Sequence, residues 1–127
     1  AGSKLIVVLG HSKCGAVKGA CDHVEMGNLT ELLSKIQPAV YQEKDTTDNR
    51  TSKNSEFVEN VAEINVKRSV KNIIERSFVL EQMLEEGQIG IVGAMHDIES
   101  GKVIFYDDVM YIKDDLNPEF TVAALRH

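Results

Sequence analysis

His11 and Cys14 stand three positions apart in the stretch LIVVLGHSKCGAVKGA, residues 5–20. An imidazole nitrogen and a thiolate sulfur are both good zinc donors. A strand has no packing need for such a pair directly after its apolar run. Gly10 and Gly15 flank the pair and give the backbone room to bring both side chains to one point. A half-buried histidine beside a core cysteine would show the same two letters, so the argument depends on the elements around them.

Residues 5–9 are a continuous run of Leu, Ile and Val. Apolar on both faces, they read as a strand inside a covered sheet of the parallel type. Gly10 ends the strand, and Ser12 is placed to cap a helix over residues 13–24. In open α/β sheets, sites lie on loops at the carboxyl ends of strands. The pair therefore falls where such a site belongs, with Cys14 in the first turn of the next helix. Helix-terminal amides and the macrodipole there favour a thiolate.

Further along, LTELLSKIQPAVYQEK reads as a short helical stretch interrupted by Pro38. Residues 44–55 are the most polar segment and read as a surface loop. Apolar residues then recur at steps of three and four over residues 54–75, the pattern of a long amphipathic helix. Ser77 is placed to cap one more helix over 78–86, with Leu80, Met83 and Leu84 inward and Gly87 as its C-terminal glycine. QIGIVGAMHD is a second buried strand, IESGK a turn, and VIFYDDVMYI a third strand paired as an edge hairpin. The tail from Lys113 contains Pro118 and shows no strong period. Strands alternating with helices give an α/β domain whose mostly parallel sheet is flanked by helices, with a C-terminal antiparallel edge strand. Three strands are few for that class, so the fold reads as incomplete.

The length of 127 residues suits a single domain, residues 1–127. A formal charge of −6 with scattered cations argues against a nucleic-acid partner. No run reaches membrane-spanning length. The only cysteines are Cys14 and Cys21, which is not a disulfide framework, so a reducing, cytoplasmic setting is expected.

With these elements in place, VVLGHSKCGAVKGA resembles the second zinc motif of the β-class carbonic anhydrases. The resemblance continues through NSEFVENVAEINVKRSVKNIIERS to GQIGIVGAMHDIESGKVIF, which is similar to that family's last core strand and turn. It implies a zinc enzyme for the reversible hydration of carbon dioxide to bicarbonate, with zinc hydroxide attacking CO2. In that family one His and two Cys hold the metal, and His11 and Cys14 match the His and the second Cys. The amide of Gly15 matches a position that contacts small anions. The family's first motif, Cys-x-Asp-x-Arg, supplies the other Cys and an Asp–Arg pair. No Cys precedes His11 here and the motif is not in the 127 residues. The resemblance therefore implies the C-terminal portion of a carbonic anhydrase domain, inactive by itself, whose other ligands lie upstream or on another chain. It also implies a homodimer or higher homo-oligomer, as does the strand edge left by a partial sheet.

The remaining candidates are weaker. Cys21 lies two helical turns beyond Cys14, roughly 10 Å along an intact helix, too far to share its ion, and reads as a core thiol. His23 reads as a surface residue near the helix end, and His127 as a chain end. His96 ends a buried strand where family members commonly carry Tyr. It reads as a rim residue or a proton carrier, since imidazole titrates near neutrality. Asp97 beside it shapes the turn. Glu85–Glu86 and Asp107–Asp108 read as solvated faces. Two alternatives stand beside the enzyme: a non-catalytic module in which His11 and Cys14 from two chains share one zinc, and an α/β interaction domain in which the pair is idle.

Overall fold

A computed structural model describes residues 4–113, and over them the chain alternates strand and helix as the sequence predicts. The order is β1 (Lys4–His11), α1 (Gly15–Cys21), α2 (Asn28–Ser34), α3 (Gln37–Gln42), α4 (Ser55–Arg76), α5 (Phe78–Glu85), β2 (Ile89–His96) and β3 (Val103–Tyr111). The sheet has the spatial order β1-β2-β3. β1 and β2 run parallel, joined by the helices, and β3 returns antiparallel along β2. This is the α/β architecture with a C-terminal antiparallel edge. Pro118 and His127 lie outside the described residues.

Local chemistry sets most boundaries. The Asn54 side chain caps α4 by accepting from the Phe57 amide. Ser77 does the same for α5 through the Leu80 amide, and Gly87 leaves that helix at φ +73°. The stretch around Pro38 is interrupted as expected, into α2 and α3, with Pro38 in the first turn of α3, where its missing N–H costs nothing.

Three expectations are corrected around the candidate loop. The helix after β1 starts at Gly15, two residues later than predicted, and ends at Cys21. Its N-cap is Cys14, without a side-chain cap bond. Ser12 caps nothing; its hydroxyl instead bonds to the β2–β3 turn. Finally, β1 is not covered on both faces. Ile6 and Val8 turn toward the helices, whereas Leu5, Val7 and Leu9 are 52%, 41% and 53% exposed. Alternation along a strand separates those two sets, so one apolar side of this edge strand lies open.

α4 packs across β1 and β2 and joins two clusters of buried side chains. Phe57, Val61 and Val66 lie in one with Val17, Ala20 and Cys21 of α1; Val70 and Ile74 lie in the other with Ile91 and Val109 of the sheet. The helix can approach because the strands present glycine. A Cβ on Gly10 would stand 2.7 Å from Val66 Cγ2, and one on Gly93 3.0 Å from Val66 Cγ1. Each strand thus receives one methyl of the same valine.

The polar segment after α3 is not wholly solvated. Glu43 is 2% exposed and accepts from the Thr46 amide and hydroxyl, from Asn60 and from Arg50. Arg50 also donates to the carbonyls of Val40, Glu43 and Thr46 and lies 4.6 Å over the Phe57 ring. Burial alone would raise the Glu43 pKa, but these donors and the guanidinium charge outweigh it and hold the carboxyl below its ordinary value. A loop rich in charges is thereby pinned to the core.

Candidate metal centre

β1 carries His11 as its last residue, and the chain then turns in three residues to α1. Lys13 takes φ +55° in that turn, a left-handed conformation unusual for a residue with a side chain. Cys14 follows in extended geometry and its carbonyl receives the Lys18 amide, the first bond of the helix. Cys14, half-buried, is thus the N-cap residue of α1.

His11 is exposed, and its Nδ1 lies 2.9 Å from the Ser12 carbonyl oxygen. A carbonyl only accepts, so Nδ1 carries the hydrogen. In the neutral ring Nε2 then keeps its lone pair free for a metal. A backbone carbonyl behind the non-ligating nitrogen is the usual outer support of a metal-binding histidine. This donor chemistry fits zinc with imidazole Nε2 and thiolate Sγ as two ligands. Among the described residues, no group of three or more His, Cys, Asp or Glu side chains is placed to hold an ion. The loop offers two candidate donors, and among the described residues no further His, Cys, Asp or Glu is grouped with them.

His96 is closer to the pair than the sequence indicates. In the parallel ladder the Cα of His11 is paired with that of His96. Paired residues on neighbouring strands project to the same side of a sheet, so both imidazoles emerge from one face at the strand ends. The sequence carries no local signal for that register. Asp97, next in line, does shape the turn: its carboxylate accepts from the Glu99 amide and the Ser100 hydroxyl. Those hydrogen bonds, the Glu99 amide first, lower its pKa.

Sequence reasoning missed the links between this turn and the ligand loop. The Ser12 amide donates to the His96 carbonyl at 2.9 Å, and Lys13 forms an ion pair with Glu99. The hydrogen bond to Glu99 and its charge raise the Lys13 pKa. A serine between two candidate ligands and an acidic turn were the only available hints.

The other candidates fall outside the centre. Cys21 is 1% exposed in the core, and burial pushes its thiol up to about 11. His23 is exposed past the end of α1 at φ +55°, its ring 6.3 Å from that of Tyr41. Asp108 is 63% exposed but pairs with Lys67 at 2.7 Å, so it is not purely a solvated face. Gly15 opens α1, and the space where its Cβ would stand has no neighbour within 4 Å.

The family model described as carbonic anhydrase matches residues 1–103. Carbonic anhydrase 2 of Mycobacterium tuberculosis is 25% identical over 117 residues, 88% of this chain and 53% of that protein. A tetrameric β-carbonic anhydrase of the filamentous ascomycete Sordaria macrospora superposes with a TM-score of 0.68 at 27% identity, covering 82% of this chain and 52% of that one. The β-carbonic anhydrase CafA of Aspergillus fumigatus gives a TM-score of 0.65 at 26% identity, covering 94% and 57%. The chain spans about half the length of the curated relatives it matches, 53% and 43% in two of them. A match over most of its residues, with the His-x-x-Cys loop at the end of a parallel strand, shows that the chain belongs to the carbonic anhydrase family, in its β class.

Proposed function

We propose that this chain forms the zinc-binding C-terminal portion of an enzyme for the reversible hydration of carbon dioxide to bicarbonate. The observation that carries the reading is the loop after β1, where His11 has its Nδ1 satisfied by the Ser12 carbonyl and Cys14 sits at the start of α1. His11 Nε2 and Cys14 Sγ would hold the ion. The remaining ligands come from outside the described residues, since two donors do not close a tetrahedron. Zinc, when bound, supplies the Lewis acidity that makes a nucleophile of water near neutral pH.

The chain's own residues do the rest. The Ser12 carbonyl holds His11 in the ligating tautomer, and Cys14 is presented at the start of α1. The amide of Gly15, the first residue of α1, would meet a bicarbonate oxygen. His96, paired with His11 across the β1–β2 ladder, would pass a proton toward solvent. The open apolar side of β1 supports a homodimer or larger homo-oligomer, as in the tetrameric fungal relative. Two free thiols suit a cytoplasmic setting, and no helix among the described residues is long and apolar enough to cross a membrane.

The test is zinc uptake followed by stopped-flow CO2 hydration, on the parent and on Cys14→Ser. Zinc lost in the variant supports the assignment, and hydration should accompany zinc wherever the ligand set is complete. Full occupancy in Cys14→Ser rejects it. One zinc per two chains without hydration would favour the bridged, non-catalytic site.

A further inference from the structure

We propose that Ser12 is a positioning residue for this metal centre, acting by locking the loop between His11 and Cys14 onto the β2–β3 turn. The inference rests on the zinc reading above and goes beyond it by assigning a role to the Ser12 hydroxyl and amide, which bond away from both ligands, whereas the Ser12 carbonyl faces His11 Nδ1. Ser12 lies between His11 and Lys13, both exposed, yet is itself only 8% exposed. Its amide and its hydroxyl are both used toward the end of β2 and the turn that follows it. Its amide donates to the His96 carbonyl at 2.9 Å. Its hydroxyl accepts from the Ile98 amide at 3.0 Å and donates to Asp97 Oδ1 at 3.4 Å.

The far end of the clamp is rigid. Asp97 Oδ1 also accepts from the Glu99 amide at 3.0 Å, and Oδ2 accepts from the Ser100 hydroxyl at 2.9 Å. The Asp97 amide and carbonyl bond within the turn to Lys102 and Gly101, each at 2.8 Å. Ser12 is thus tied to a fixed turn rather than to a swinging side chain. The neighbouring Lys13–Glu99 pair adds a second strap, at the surface. Between these straps the backbone is held with Lys13 at φ +55°, a conformation that a free loop would leave. That conformation sets the direction in which Cys14 departs from His11. Removing the hydroxyl leaves the Ile98 amide and Asp97 Oδ1 each one partner short and lets the two donors diverge. Apparent metal affinity then falls with the fraction of loops still competent to bind. Outer-shell partners of metal ligands are commonly worth 10- to 100-fold in affinity.

The experiment compares parent, Ser12→Ala and Ser12→Thr, with Cys14→Ser as the control. Amide hydrogen exchange is read without metal, and Co2+ is titrated by its thiolate charge-transfer band. In Ser12→Ala, the amides of residues 12–15 and 98 should exchange about tenfold faster or more, with those of α4 unchanged. Its Co2+ affinity should fall about tenfold or more, and Ser12→Thr, which keeps the hydroxyl, should restore both. Parent-like exchange in Ser12→Ala overturns the clamp. Faster exchange with parent-like Co2+ affinity overturns the positioning role. A parent without any Cys14-dependent band overturns the zinc reading and the positioning role with it, and the metal-free exchange data tell that result from a failed clamp.

Discussion

Replacing Gly10 by alanine places a methyl group where α4 already meets β1. The new Cβ would lie 2.7 Å from Val66 Cγ2, 3.0 Å from Met95 Cε and 3.3 Å from Met95 Sδ. The Met95 thioether end is flexible and can turn aside at small cost. Val66 cannot: it is β-branched on a helix, held to one rotamer, and 4% exposed among packed neighbours. Either the helix or the strand must move. Overpacking of this kind costs about 1–3 kcal/mol. Alanine returns about 0.5–1 kcal/mol by restricting the unfolded chain. The expected net loss is therefore about 1–2 kcal/mol, a few degrees in melting temperature. Val66→Ala alone should cost about 2 kcal/mol through the cavity it leaves. Because the two changes relieve one another, the double variant should lose less than the sum of the two by about 1 kcal/mol or more. Urea denaturation of the four proteins measures this cycle. Full stability of Gly10→Ala, or strict additivity with Val66→Ala, would refute the reasoning that glycine is there for close approach. Since Gly10 precedes His11 directly, the shift should also weaken metal uptake in Gly10→Ala and leave it stronger in the double variant.

Glu43→Gln should cost about 3 kcal/mol at neutral pH, near the lower end for breaking a buried pair because Arg50 keeps 34% exposure. The Glu43 pKa is depressed in the fold, so its stabilisation is present above the unfolded value of about 4.3 and is lost as pH falls through the lower folded value. Urea midpoints between about pH 5 and pH 3 should fall more steeply in the parent than in Glu43→Gln. With its thiol at about 11 and 1% exposure, Cys21 should resist iodoacetamide at pH 7.5 until denaturant is added, whereas Cys14 reacts in the folded chain; mass mapping of the alkylated peptides reads both. Asn54→Ala and Ser77→Ala each remove a bonded cap and should cost about 1 kcal/mol, seen as a lower urea midpoint with an unchanged slope.

What the sequence revealed and what it hid divide by range. Ser77 and Gly87 act within a few residues of the helix end they mark, so their roles were legible from spacing alone, whereas Asn54 was read only as the start of the helical pattern and proves to be its cap. The His11–Cys14 loop was legible for the same reason, since a Val-rich strand, a glycine and a small-residue helix are local patterns. Ser12 was misread because a serine just before a helix is a natural cap, and only the folded sheet offers it partners 85 and 86 positions away. His96 could not be placed beside His11 without the β1–β2 register, which no local pattern encodes. Arg50 fell in the segment 44–55 read as a surface loop, and its bonds to Val40 and Glu43 follow from how that loop folds back on α3 and α4. The run at residues 5–9 suggested a strand covered on both faces, yet its apolar content says nothing about which strands stand beside it.

The most direct measurement is X-ray absorption at the zinc edge of the metal-loaded protein, repeated with Cys14→Ser and His11→Ala. Sulfur at about 2.3 Å and nitrogen at about 2.0 Å are predicted in the parent shell. Cys14→Ser should lose sulfur scattering and His11→Ala the imidazole signature. An edge spectrum that neither substitution alters would contradict the assignment of these two side chains to the metal.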